Sequence, residues 1–287
     1  MKILLIANPV AGGNARLKIA RAVDLLETRG ASVKLVLTDS RGDARRAAEA
    51  ARESGFDRIV AAGGDGTLNE VINGLAPSTI PLAFIPLGTT NVFALEVNIP
   101  FDLDKACDLV LQGIPRAVSV GLAGDTRFLL MAGIGFDAEV VAAVSLRLKR
   151  RIGKLAYIVS GLRTLVRPTK EPFEVLSDGI RCRACAALIG NGRLYGGRFS
   201  ITDGASLLED LLDVRLFLRP GRLRLLVNVA RILLGYPPGK KEMLHFKTRH
   251  VRMTGADIPV QIDGDSHGCL PQTFQAIFGE LTLVFPP

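Results

Sequence analysis

The chain has 287 residues, 48% hydrophobic and 22% charged, and a formal net charge of +8. This composition excludes a disordered or fibrous polymer, and the length exceeds that of one ordinary domain, so two domains are expected. The excess of base points to anionic partners, but the lack of Trp, the 3 Tyr and the absence of a Cys/His zinc module or RNP-like motif argue against nucleic acid.

In chain order, KILLIANP (2–9) reads as a buried strand ending in a turn, and ARLKIARAVDLLETRG (15–30) as a helix stopped by Gly30. SVKLVLT (32–38) is a strand, GDARRAAEAARESG (42–55) an Ala-rich helix, and RIVAAGG (58–64) a strand. GTLNEVINGL (66–75) follows as a helix and PLAFIPLG (81–88) as a strand. Strand–helix repetition at this spacing predicts a three-layer, Rossmann-like α/β domain with a parallel sheet over residues 1–120.

From about residue 117 the rhythm changes to strand-like segments separated by turns: AVSVGL, TRFLLMAGIG, FEVLSD, GIRCRACAALIGN, DVRLFL, EMLHFKTRHVRMTG, IPVQIDGD and GELTLVF. They predict a mostly antiparallel β-sandwich over residues 121–287, interrupted by helices at about 138–166 and 221–235. No Gly/Ser-rich linker separates the halves, so a cleft between abutting domains is expected.

Four cysteines occur, and the Cys182–Cys185 pair has redox or zinc spacing but lies in a strand-like segment. Residues three apart on a strand face opposite ways, so four free thiols in a reducing compartment are expected. The apolar N-terminal stretch is too short for a signal peptide, and no window approaches a membrane span. The expected location is cytoplasmic, with any membrane contact peripheral.

Three glycine turns fall at the carboxyl ends of predicted parallel strands: NPVAGG, GGDGT and PLGTTN. Ligands of such sheets bind at that edge, and glycine turns there let backbone N–H groups approach an anion. Neither G-x-x-x-x-G-K-[ST] nor G-x-G-x-x-G is present, which disfavours a conventional P-loop enzyme or dehydrogenase. Asp65, inside GGDGT, is out of place in a bare phosphate loop.

Together with Asp263-Gly264-Asp265, the blocks Asn8-Pro9-Val10-Ala11-Gly12, Gly63-Gly64-Asp65-Gly66-Thr67-Leu68-Asn69 and Pro86-Leu87-Gly88-Thr89-Thr90-Asn91-Val92-Phe93-Ala94 resemble the diacylglycerol kinase catalytic family. That family includes bacterial soluble lipid kinases, sphingosine kinases and ceramide kinases. The order matches from residue 3 to about 285. GGDGT alone is shared with NAD kinases and phosphofructokinases; the NPVAG and GTTNVFA blocks are specific to the lipid-kinase branch.

The resemblance implies ATP-dependent phosphorylation of a lipid hydroxyl. By it, Asn8, Pro9, Val10, Ala11 and Gly12 cradle phosphate, and Thr38 contacts the nucleotide from the end of the second strand. Gly63, Gly64, Asp65, Gly66, Thr67, Leu68 and Asn69 wrap the phosphates, and Thr89 and Asn91 complete the pocket. Asp65 either meets Mg²⁺ or caps the helix from Gly66 through the Thr67 or Leu68 N–H. The Asp263/Asp265 pair carries the general base, with its member undecided, where the family's usual pattern is Asp-Gly-Glu. From residues alone, Asp263-Gly264 reads as a hairpin turn. Ser206, Glu209 and Leu211 stand where some members hold a structural Mg²⁺, although Leu208, Glu209 and Asp210 replace the usual Asp, Asp and Gly.

Three further segments bear on the lipid side. Asp137 and Glu139 are candidates for a polar head or for structural roles. Arg147 to Lys154 is either a solvated helix face or an attachment to an anionic bilayer. Leu223 to Leu234 is a helix expected to pack on the core, with an interfacial role as the alternative. The three His residues show no metal spacing. The expected partners are a lipid substrate, an anionic membrane contacted peripherally and a second copy in a homodimer; no nucleic acid is expected.

Overall fold

A strand covered on both faces must be apolar at every position, and three of the N-terminal runs meet that condition. In the computed structural model, which describes residues 1–143, 171–236, 238–239 and 241–287, β1 (Lys2–Ala7), β3 (Arg58–Gly63) and β4 (Leu82–Pro86) form the centre of a parallel sheet. β2 (Ser32–Leu37) adds to β1 as a more exposed edge. Helices α1 (Ala15–Thr28), α2 (Asp43–Ala51), α3 (Asp65–Leu75), α4 (Val92–Glu96) and α5 (Leu103–Gln112) accompany these strands. One apolar cluster runs from Ile3, Leu5, Ile59 and Phe84 through Leu26, Ala48 and Ile72.

Elements from the second half extend the same sheet. β18 (Gln272–Phe285) lies parallel to β4 through Leu283 and antiparallel to β5 (Ile114–Ala123) along most of its length. Beyond it come β15 (His250–Thr254), β8 (Phe173–Ser177) and β9 (Ile180–Ala184), while β6 (Thr126–Phe128) pairs with β5. A second, antiparallel sheet has the order β14-β13-β10-β7-β16-β17. Its strands are β7 (Met131–Ile134), β10 (Ala186–Gly190), β13 (Leu212–Phe217), β14 (Met243–Thr248), β16 (Pro259–Ile262) and β17 (Asp265–Cys269), and a short separate hairpin pairs β11 (Leu194–Tyr195) with β12 (Phe199–Ser200). Phe128, Phe173, Phe274, Ile134 and Val214 pack between the sheets. The architecture is an α/β unit joined to an antiparallel sandwich, as the sequence predicts.

Several boundaries differ from expectation. TRFLLMAGIG, GIRCRACAALIG and EMLHFKTRHVRMTG each read as one strand, yet each divides between the two sheets, at Leu129–Leu130, Cys185 and Arg249. Apolar residues continue through the first two corners, so periodicity does not reveal them, while at the third the polar run Lys247-Thr248-Arg249-His250 interrupts the pattern. The four cysteines are free, with Cys182 on β9 and Cys185 at the corner. The Ala-rich helix stops at Ala51 rather than residue 55, and α3 starts at Asp65, one residue early. Helices α4 and α5 occupy a stretch to which the sequence reading assigns no helix or strand.

Helix α6 (Phe136–Ala143) is the described start of the helix expected over 138–166; the rest of it, with Arg147 to Lys154, lies outside the described residues. Helix α7 (Arg222–Leu233) matches the second expected helix. Among the described residues, no helix is long and apolar enough to cross a membrane.

Ala44, Ala48 and Ala51 give α2 a face of small side chains, and α3 crosses it at Gly74. A Cβ at Gly74 would collide with the Arg45 carbonyl, a backbone atom that cannot swing aside. Gly74→Ala therefore costs about 1–3 kcal/mol through overpacking, read as a Tm lower by several degrees. An unchanged Tm would mean the two helices can separate freely.

Candidate functional site

The three glycine turns meet backbone to backbone. A Cβ on Gly88 would lie 2.7 Å from the Gly64 Cα, and one on Gly12 would strike the Leu87 carbonyl. Side chains are therefore excluded from the seams where the loops after β1, β3 and β4 join. Asn8 ties two of these loops to one another: its Oδ1 accepts from the Val10 N–H at 3.0 Å, and its Nδ2 donates to the Thr67 Oγ1 at 3.4 Å. Thr38 closes the neighbouring corner, with its N–H donating to the Ala7 carbonyl at 2.9 Å. Asn91 donates to the Gly88 carbonyl at 2.8 Å, and its buried Oδ1 has no partner among the described residues. Val10, Gly12, Gly66 and Thr89 remain exposed along the same edge. Glycine seams and the N-terminal N–H groups of α3 fit the phosphates of a nucleotide, and the unpartnered Asn91 Oδ1, an acceptor, fits a hydroxyl donor such as that of a ribose.

Asp65 does cap a helix, but not the one expected. α3 begins at Asp65 itself, and the Thr67 and Leu68 N–H groups donate to the Gly64 carbonyl. The Asp65 carboxylate reaches across to α4, accepting from the Val92 N–H at 2.9 Å and the Phe93 N–H at 3.0 Å. It thereby fixes the GGDGT turn against the GTTN turn, and its negative charge complements the positive end of α4.

The acidic turn is a hairpin as well as a site. Ile262 pairs with Asp265, so Asp263 and Gly264 are the two turn residues, with φ of 45° and 86°. Paired positive φ values are what a two-residue hairpin requires, and Asp-Gly supplies them. The half-buried Asp263 carboxylate accepts from the N–H groups of Leu129 (2.9 Å), Leu130 (3.0 Å) and Met131 (3.0 Å). It also accepts from the Asn69 Nδ2 at 3.1 Å, which joins the acidic turn to the end of the GGDGTLN block. Burial raises the Asp263 pKa above the usual carboxylate range, while the three amides and Asn69 pull it back. Asp265 is different: it is 60% exposed, and Arg41, from the loop between β2 and α2, approaches it at 3.4 Å.

Two family descriptions match the chain: the diacylglycerol kinase catalytic domain over residues 2–123, and the YegS C-terminal NAD kinase β-sandwich-like domain over residues 131–285. Diacylglycerol kinase of Bacillus subtilis is 32% identical over 290 residues, covering 98% of this chain and 95% of that protein. The chain belongs to the diacylglycerol kinase catalytic family. The probable lipid kinase YegS of Salmonella typhimurium is 33% identical over 224 residues, 75% of this chain and 73% of that protein. A crystal structure described as a putative diacylglycerol kinase from Bacillus anthracis superposes with a TM-score of 0.85 at 28% identity, covering 100% of this chain and 95% of that one. The protein is thus a kinase by family, of the lipid-kinase branch.

In the loop for which the family resemblance implies a structural Mg²⁺, the acidic side chains pair with protein cations. Glu209 pairs with Lys247 at 2.8 Å, Asp210 with Arg249 at 3.1 Å, and the Ser206 carbonyl accepts the Glu209 N–H at 3.1 Å. Beside them the buried Asp213 meets His245 at 3.0 Å and Arg215 at 3.4 Å, and Arg215 also pairs with Asp203. Among the described residues, no group of three or more His, Cys, Asp or Glu side chains is placed to hold a metal. Of the three residues that the family resemblance gives to Mg²⁺, Glu209 is paired with Lys247 and the Ser206 carbonyl with the Glu209 N–H.

On the sandwich side, Asp137 and Glu139 are both engaged by protein groups. Asp137 accepts from the Tyr195 hydroxyl and from the Gln261 Nε2 at 2.7 Å, and Glu139 pairs with the buried Arg222 at 2.5 Å. Burial raises the Asp137 pKa, opposed by those two hydrogen bonds. Gln261 also accepts the Gly264 N–H at 2.8 Å, so Asp137 supports the acidic turn from below.

Sequence reasoning missed four supports. Asn73 pairs with the Arg127 backbone in both directions, at 2.9 and 2.8 Å. The buried Glu96 accepts from Arg193 (2.9 Å) and from the Leu194 N–H (2.8 Å). Gln261 and Arg41 complete the set. A polar residue on an otherwise buried stripe, such as Asn73 on α3, was the available signal.

Asp263→Ala leaves three consecutive amides without their acceptor and is expected to cost at least about 2 kcal/mol, whereas Asp265→Ala leaves thermal unfolding unchanged. Equal Tm losses for the two variants would contradict this division. Because protein cations pair with Glu209 and Asp210, EDTA added to the nucleotide-free protein is expected to leave Tm unaltered. A drop of several degrees, restored by magnesium, would show that a cation holds the loop.

Proposed function

We propose that this kinase transfers the γ-phosphate of ATP, bound as its magnesium complex, to a hydroxyl of a diacylglycerol-like or sphingoid lipid. One observation carries the reading: the acidic turn holds one carboxylate fully engaged by protein donors and presents the next, two residues on, at an exposed edge. Asp265 is the general base, removing the acceptor hydroxyl's proton as the hydroxyl oxygen attacks the γ-phosphorus and the bond from phosphorus to the bridging oxygen breaks, releasing ADP. Arg41 orients that carboxylate from the nucleotide side. Asn8, Thr38, Thr67, Thr89 and Asn91 hold phosphate and ribose oxygens, and the backbone from Gly63 to Asn69 presents N–H groups with the α3 dipole behind them. Asp65 keeps the two phosphate-facing turns in register. Magnesium, when bound with the nucleotide, neutralises charge on the transferring group.

The carboxylate of Asp265 is one methylene shorter than the Glu usual in the family, so the acceptor must approach more closely. A cytoplasmic enzyme working at the membrane surface suits this acceptor class. The test incubates the protein with labelled ATP, magnesium and a panel of diacylglycerols, sphingoid bases and NAD. Labelled lipid is the expected product. Asp265→Asn is expected to lower kcat by about 10²–10⁴-fold, with nucleotide affinity unchanged and Asp265→Glu active. Labelled NAD alone, nucleotide binding without transfer, or near-normal turnover by Asp265→Asn would overturn the reading.

A further inference from the structure

Helix α7 is apolar on two faces, and the fold buries only one. Inward, Leu225 and Val229 pack on the main core, Ile232 and Asn228 are buried, and Arg222 pairs with Glu139. Outward, Leu223 is 72% exposed, Val227 51% and the C-cap residue Leu234 73%, with exposed Ala230 between them. At about 100° per residue, steps of four, three and four place these residues on one narrow stripe. The helix thus meets the expected core-packed reading on one side only; its encircling Leu and Val residues leave a second face that is exposed at Leu223, Val227 and Leu234.

Arginines edge this stripe. Arg224 and Arg231, seven residues apart, share one flank, and Arg219 precedes the helix. Arg219 and Arg224 both reach the same carboxylate, Glu242, at 3.6 and 3.8 Å, and the Arg219 Nε donates to the backbone of exposed Lys241. The edge therefore retains an excess of positive charge. Tyr236, 70% exposed, stands at the helix end, where an aromatic ring suits a membrane–water boundary.

We infer that the outward face of α7 docks this kinase on an anionic bilayer, with Leu223, Val227 and Leu234 among the acyl chains and Arg219, Arg224 and Arg231 at the phosphates. A second copy of the chain is a poorer occupant, since a self-complementary contact would set this arginine edge against its own like charge. An amphipathic helix lying in the interface combines apolar burial with attraction to anionic lipid. The inference rests on the lipid-acceptor reading, because such docking would hold the cleft at the surface where that acceptor resides.

The test is co-sedimentation of the full chain, without nucleotide, with vesicles of phosphatidylcholine alone or mixed with phosphatidylglycerol. Wild type is expected to bind the mixed vesicles and to release in high salt. Leu223→Glu/Leu234→Glu is expected to lower the bound fraction about tenfold, while turnover of a short-chain acceptor in detergent micelles stays within about twofold. Arg224→Gln/Arg231→Gln is expected to weaken binding several-fold and flatten its salt dependence. If the glutamate pair fails to fold, Leu223→Ser/Leu234→Ser carries the same test. Unchanged vesicle binding by these variants, or their conversion of a dimer to a monomer with binding intact, would overturn the inference. Failure of the lipid-acceptor reading would look different: vesicle binding lost on substitution, but no lipid phosphorylated by the wild type.

Discussion

A chain that turns from one sheet into another leaves backbone amides that belong to neither ladder. At the corner between β6 and β7 those amides are on Leu129, Leu130 and Met131, and the Asp263 carboxylate accepts all three. Partly buried N–H groups left without an acceptor are costly, so this carboxylate is a structural requirement of the corner. It also reaches Asn69, which stands at the far end of the glycine block. One side chain thus ties the corner between the sheets, the acidic hairpin and the nucleotide-facing helix α3. The positions of Asp265 and its neighbours depend on that tie.

The nucleotide side is built by a complementary rule. Around Gly12, Gly64 and Gly88 the fold excludes side chains so that backbones touch, and Asp65 then locks the α3 turn to the α4 turn through the Val92 and Phe93 amides. In both halves an aspartate serves as an acceptor for backbone N–H groups, and the positioning comes from fixed dipoles. Phosphoryl transfer rewards this design, because positioning and electrostatic preorganisation supply most of its catalysis. The acid within GGDGT, out of place in a phosphate loop, is explained by what it holds.

Much of this was legible in the sequence. The buried runs at β1, β3 and β4 announced a parallel sheet, and three glycine turns at one sheet edge announced the site. The Asp-Gly pair announces a hairpin turn by itself, and only the family resemblance implies a role for it in the site. The corners at Leu129 and Cys185 were not legible, since apolar residues run straight through them, and the one at Arg249 falls in the short polar run Lys247 to His250, which is no longer than the polar face of a strand end. For the same reason Asp263 and Asp265 looked equivalent: only the corner that Asp263 satisfies separates an anchoring carboxylate from an available one. The pairing of Glu209 and Asp210 with protein cations was not legible, because Lys247 and Arg249 lie some forty residues downstream, at the end of β14 and the corner after it.

The central claim is that Asp263 anchors the acidic turn to the corner between β6 and β7, while Asp265 is the carboxylate left available for the proposed reaction. Hydrogen exchange at the Leu129, Leu130 and Met131 amides tests it most directly, comparing wild type with Asp263→Asn and Asp265→Asn. The account predicts that exchange at these three amides accelerates in Asp263→Asn and stays at the wild-type rate in Asp265→Asn. Equal protection in Asp263→Asn and wild type, or matching acceleration in both variants, would contradict it.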